Sequence, residues 1–280
     1  MATGNGHGSV LVSDTTQRPQ AKSGNSDEDN EPMPAEPGFR ATREDINHYH
    51  RWRAVHWRRL ETLDREEHRV RQYALNWFTR AIGRRYADSE LENFRVTTDQ
   101  QRKVVDALMD YDAHLVDRVL ACSGVVLYGP SGTGKDHLLV GLAKQAIRRG
   151  FRVEWVNGPE LFAKFRKYMK DREGDEWLIE KYGQGKVYGE GTPSRGLSHV
   201  LIVSDPVPAR GELSEFNTEN LWRVIDARYR ANLITWTTMN VGSGEEAEAR
   251  LGVSIVDRLR DGALSLFCNW PSYRKGFAQC

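Results

Sequence analysis

The chain has 280 residues, 39% of them apolar and 28% charged, which is enough for one large or two small packed domains. The net charge of +1 hides an uneven distribution: residues 1–39 carry 2 basic and 6 acidic side chains, whereas residues 40–85 carry 12 Arg against 6 acidic ones. No apolar run approaches the roughly 18 residues of a membrane span. The start MATGNGHGSV lacks the apolar core of a secretory signal, and Cys122, Cys268 and Cys280 match no Cys-x-x-Cys spacing. These features argue against membrane, secreted and structural-zinc classes, and a reducing cytoplasm fits.

Residues 1–40 include SGNSDEDNEPMPAEPG, which cannot bury enough apolar area to offset ordering entropy, and read as a disordered tail. Residues 41–94 read as a helical partner-binding segment. Thr42-x-x-Asp45 is a capping-box pattern and Gly83 is a stop. Steps of three and four between them pass through Ile46, Tyr49, Leu60, Leu63, Val70, Ala74 and Trp77, which predicts a long helix or helical hairpin with that seam buried. The arginines here suit nucleic acid, an acidic protein face or plain solvent. The rings, from Tyr49 to Phe78, suit packing or stacking on bases.

Residues 95–280 alternate between strands and helices. GVVLYG (124–129), FRVEWVN (151–157), HVLIVSD (199–205), LITWTT (233–238) and ALSLFCNW (263–270) are short apolar runs and read as strands. Helices are expected over 135–150, from Pro159 to about Lys170, over 215–232 and over 253–262. Strands alternating with helices predict an α/β fold, a parallel sheet covered on both faces.

Between the first strand and its helix lies GPSGTGKDH. Gly129, Pro130, Ser131, Gly132, Thr133 and Gly134 let backbone N–H groups curl around phosphate oxygens. Lys135 reaches the β and γ phosphates, and Asp136 and His137 open the helix. The pattern ordinarily has Ser or Thr after the lysine. Asp136 there is either a hard-oxygen ligand for Mg²⁺ or a negative charge favoured in a first helical turn. The strand LIVSDP ends in Asp205, a second candidate Mg²⁺ ligand of Walker B kind. Pro206 follows it, where hydrolysing enzymes commonly carry Glu, so slow hydrolysis is expected. TWTTMN ends in Asn240, which can bring an amide near a γ-phosphate. Arg258, Arg260 and Arg274 can offer a guanidinium to phosphate charge, in cis or from a neighbouring subunit.

These blocks, in order, resemble the AAA+ helicase loaders of the DnaC/DnaI type and the similar IstB-type transposition ATPases. The likeness runs from about Ala81 to Arg274. It opens on IGRRYADSELENFRVTTDQQRKVVDAL and continues through GPSGTGKDHLLVGLA, HVLIVSDPVP, NLWRVIDARYRANLITWTTMN and VSIVDRLRDG to NWPSYR. The resemblance implies a P-loop AAA+ domain over 95–280 with a reduced or absent lid, and ATP with Mg²⁺ as cofactors. It makes Lys135 the Walker A lysine, Asp205 the Walker B acid, Asn240 sensor 1, Arg258 an arginine finger acting on the next subunit and Arg274 sensor 2. It also implies an inserted helical element at 158–183 that touches single-stranded DNA. There Lys164, Arg166, Lys167 and Lys170 are interleaved with Phe162, Phe165 and Tyr168, an arrangement that suits either sequence-independent DNA binding or an ordinary amphipathic helix. The implied partners are single-stranded DNA, a replicative helicase or a transposase, and further copies of the chain in an ATP-dependent assembly. The remaining alternative is an adaptor that binds nucleotide without hydrolysing it.

Overall fold

The computed structural model describes residues 42–171, 174–185 and 199–274. The tail expected over 1–40 lies outside the described residues. The chain divides into two compact units, Met1–Arg65 and Glu66–Cys280. Leu91 and Phe94 belong to the core of the second unit.

Helix α1 (Arg43–Ile82) starts as its capping box predicts: Asp45 N–H donates to Thr42 Oγ1 at 3.2 Å, and Thr42 N–H donates to Asp45 Oδ2 at 2.9 Å. The buried arc of its second half keeps Ala74 of the predicted seam but leaves out Val70 and Trp77. Phe78 and Ile82 are buried and Ala74 and Leu75 pack against the same core, whereas Val70 is 42% and Trp77 65% exposed. The spacing 74, 75, 78, 82 is an equally regular helical stripe, displaced around the helix from 70, 77. Which stripe is covered depends on where the rest of the unit lies.

The second unit holds a five-stranded parallel sheet, β1 (Val125–Tyr128), β2 (Arg152–Asn157), β3 (His199–Ser204), β4 (Thr235–Met239) and β5 (Leu264–Phe267), in the order β2-β3-β4-β1-β5. Four of the five strands fall within the predicted runs, and β4 continues one residue past its own, to Met239. Alternation along each strand splits the core in two. Val125, Leu127, Val200, Ile202 and Trp236 face α4 (Lys135–Arg148), with α2 (Asp99–Ala113) and α3 (Leu115–Leu120) beyond it. Val126, Leu201 and Val203 face α5 (Gly158–Asp171) and α7 (Glu215–Arg230), with α8 (Gly244–Leu251) and α9 (Val253–Arg260) completing that layer. A short helix α6 (Glu176–Leu178) runs on into a π-helical turn at Ile179–Gly183. Burial on both faces explains why the strands read as continuous apolar runs.

Because β4 lies between β1 and β3, the loops leaving the carboxyl ends of these three strands converge. That is where parallel α/β sheets bind ligands. Among the described residues no helix is long and apolar enough to cross a membrane.

Candidate nucleotide site

Residues 129–134 leave β1 and turn into α4. Gly134 sits at φ 88°, the left-handed region that a Cβ disfavours, which lets the chain enter the helix directly at Lys135. Lys135 is buried. Its Nζ donates to Gly129 O, Pro130 O and Asn240 Oδ1, each at 2.8 Å. Burial pulls its ammonium below the usual lysine range, partly offset by Asp136 and Asp205 nearby. The structure therefore brings together three residues that the sequence could only nominate separately: Lys135 after β1, Asp205 after β3 and Asn240 after β4.

Asp205 sits at φ 48° immediately beyond β3. Its N–H donates to Thr238 O at 2.9 Å, and its carboxylate lies beside Asn240. Its Oδ1 is buried with no hydrogen-bond partner among the described residues. Burial, and then the charge of Asp136, raise its carboxyl above the ordinary value. Asp136 is met by hydroxyls: Ser204 Oγ donates to its Oδ1 at 3.0 Å, Thr238 Oγ1 to the same oxygen at 2.8 Å, and Tyr86 OH to its Oδ2 at 3.4 Å. Pro206, by contrast, is buried and does not line the cleft. Its Cα lies so close to Gly158 that a Cβ there would come within 2.4 Å.

Tyr86, Lys135, Asp136, Asp205, Thr238 and Asn240 line a cleft of about 380 Å³, together with Ser131, Gly132, His137 and Arg274. One wall comes from the segment after α1, whose part the residue pattern alone did not reveal. His137 Nε2 lies 3.0 Å from Glu90 O and 2.9 Å from Asn93 Oδ1, and Phe94 meets the His137 ring edge-on at 5.5 Å. The C-terminal segment packs on the loop itself. Trp270 Nε1 donates to Thr133 O at 2.8 Å, and Tyr273 N–H donates to Gly132 O at 3.0 Å. The clustered aromatics of ENF and NWPSY were the available signal for these two walls. Ser204 and Thr238 had none, since hydroxyls at strand ends are common.

Two candidate groups lie elsewhere. Arg258 pairs with Asp226 at 3.1 Å and borders a hollow with Gly124, Leu233 and Thr235 at the amino ends of β1 and β4, away from its own cleft. On α5 the aromatic half of the interleaved pattern turns inward: Phe162 and Phe165 are buried, and Tyr168 packs edge-on against Trp177 at 4.9 Å. Lys164 pairs with Glu160 at 2.8 Å, Arg166 donates to Asn217 Oδ1 at 3.1 Å, and Lys167 is exposed. The Lys170 side chain lies outside the described residues.

The donor set around residue 136 suits a hard cation. Two carboxylates and two hydroxyls meet there, and one Asp205 oxygen is buried without a donor. Magnesium takes one or two carboxylates and completes its shell with phosphates and water. A full protein cage is not built: among the described residues no group of three or more His, Cys, Asp and Glu side chains could hold a metal ion.

A glycine-rich loop entering a helix at a buried lysine, at the carboxyl edge of a sheet ordered β2-β3-β4-β1-β5, defines a P-loop ATP-binding protein of the AAA+ fold. The chain belongs to the IstB-like ATP binding protein family, whose model matches residues 40–277. Among solved structures it is similar to the DnaC helicase loader, at 19% identity and TM-score 0.55, covering 66% of this chain and 99% of that one. It is also similar to DnaI, at 20% identity and TM-score 0.50, covering 68% and 92%. At these identities the likeness carries the fold. None of the curated proteins compared matches the chain.

Proposed function

We propose that this protein is a cytoplasmic helicase loader, in which ATP with Mg²⁺ acts as an assembly switch on single-stranded DNA and hydrolysis is slow or stimulated by a partner. The observation that carries this reading is the division of labour between the arginines. Arg274 lines the chain's own cleft with Lys135, Asp205 and Asn240, whereas Arg258 stands at the far end of the sheet, away from that cleft, as a finger for another subunit's nucleotide would. A finger supplied from the neighbour makes the site depend on side-by-side assembly. Arg166 and Lys167, exposed on α5, supply cations for a DNA backbone, so electrostatics and not ring stacking would dominate that contact. The exposed stripe Val70, Tyr73 and Trp77 on α1 supplies an apolar surface for the helicase.

A second reading, a DNA-coating partner of a transposase, is favoured by the family match, which extends from residue 40 and so includes α1. The test is capture of the host's replicative helicase by the full chain in the presence of ATP, beside the variant Val70→Glu/Tyr73→Glu/Trp77→Glu. Capture lost in the variant supports the loader. Capture by neither, with ATP-dependent coating of DNA retained, supports the transposition partner.

A further inference from the structure

In P-loop sites the loop's Ser or Thr and a Walker B carboxylate hold the magnesium ion together. This chain has a carboxylate, Asp136, at the loop position. The side chain that β3 places against it is a hydroxyl: Ser204 is the last residue of the strand, and its Oγ donates to Asp136 Oδ1 at 3.0 Å. The pair is complete, with its ends exchanged. Asp205 stands one residue too late to oppose position 136, already past the strand and beside Asn240.

Two more observations fit the exchange. Thr238 on β4 adds a second hydroxyl to the same Asp136 oxygen at 2.8 Å, which leaves Oδ2, among the described residues, with only the Tyr86 hydroxyl at 3.4 Å. Asp136 also lines the cleft with no salt-bridge partner among the described residues, and the neighbouring Lys135 ammonium is turned to Gly129 O, Pro130 O and Asn240 Oδ1. A carboxylate beside a triphosphate is repulsive unless a cation lies between them.

We infer that Asp136 is this protein's metal-holding carboxylate and Ser204 its supporting hydroxyl, the reverse of the usual arrangement, and that Asp205 is thereby released from the metal to face the terminal phosphate of the nucleotide. The inference rests on the ATP-binding reading above and names the residues of that same site. It gives Asp136 and Asp205 different tasks, and it makes Asp205, in place of position 206, the carboxylate nearest an attacking water. Pro206, packed beneath Gly158, is then no defect of the site.

The test is the affinity of the full chain for a fluorescent ATP analogue, measured with Mg²⁺ and again with EDTA. Asp136→Asn should cut the Mg²⁺-to-EDTA affinity ratio about tenfold or more, the scale on which metal-site substitutions act. Its affinity in EDTA should hold or improve, since a negative charge beside the phosphates has gone. Asp205→Asn should keep the ratio. Ser204→Asp alone should not restore anything, but combined with Asp136→Thr it should return the ratio of the Asn variant toward that of the wild type. A ratio that survives Asp136→Asn, or one that collapses instead in Asp205→Asn, overturns the exchange while leaving ATP binding intact. An Asp136→Asn protein that loses affinity equally in Mg²⁺ and EDTA also overturns it, because that is the mark of a structural role. A wild-type chain that binds no nucleotide under either condition overturns the ATP reading itself, and the exchange with it.

Discussion

Lys135 Nζ donates to Asn240 Oδ1 at 2.8 Å, joining two strand ends that are 105 residues apart in sequence. The contact ties the phosphate loop after β1 to the residue that follows β4, and Asn240 also lies beside the Asp205 carboxylate after β3. One amide thus stands beside both the lysine and the acid.

Lys135→Ala should weaken ATP binding by about 100-fold, since several charge-assisted hydrogen bonds to phosphate are lost together. Asn240→Ala should leave binding within a few-fold, because Gly129 O and Pro130 O still hold the ammonium, yet lower turnover by about tenfold or more. Isothermal titration paired with a phosphate-release assay separates the two. Tight binding by the Lys135 variant would sink the loop assignment.

Arg258→Ala should spare ATP binding by the isolated chain and lower only the turnover that rises with protein concentration. The finger role would fail if turnover were the same at every concentration with and without the substitution. Removing Arg258 also takes a partner from the buried Asp226, which keeps Arg230 at 2.8 Å, so the fold should survive.

Glu90 anchors the segment after α1 to α4. Arg148 donates to both of its oxygens, at 2.9 and 2.8 Å, and Lys144, whose side chain is 4% exposed, donates at 3.3 Å. Burial alone would raise the Glu90 carboxyl, but Arg148 and Lys144 outweigh it and hold it below its ordinary value of 4.5. A lowered native pKa means that the stabilisation is complete above 4.5 and is lost as pH falls through the native value. Glu90→Gln should therefore cost about 1–2 kcal/mol near neutral pH, chiefly by leaving the Lys144 ammonium short of a partner. Urea denaturation of both proteins at a series of pH values checks this. The curves should converge in acid, and a gap that persists well below the carboxylate range would refute the charge argument.

Pro206→Glu, a substitution the sequence alone suggests as a way to restore a water-activating acid, should instead destabilise the protein by about 3 kcal/mol. The position is buried against Gly158, so a carboxylate placed there loses its hydration. A lowered melting temperature without faster phosphate release is the expected result. Faster release at unchanged stability would show that position 206 can reach the nucleotide.

Much of this fold was legible before any coordinates. The five strands lie in five apolar runs between turns, and the glycine loop between the first strand and its helix named the cleft. Less legible was anything that depends on which face an element turns to its neighbours. The α1 stripe through Val70 and Trp77 is as regular as the one through Ala74, Phe78 and Ile82, yet only the second is covered. On α5, alternating rings and cations fitted either DNA or a core, and Phe162 and Phe165 went to the core.

The sequence by itself determined the phosphate loop, the alternation of strands and helices and the oddity of Asp136, because these depend on local backbone preference and on burial along a single strand. Tertiary structure alone decided that Ser204 and not Asp205 opposes Asp136. Successive residues on a strand point to opposite faces, so a shift of one position changes which side chain arrives. No local pattern records that register, which is set by pairing across the sheet, where Ser204 lies beside Thr238.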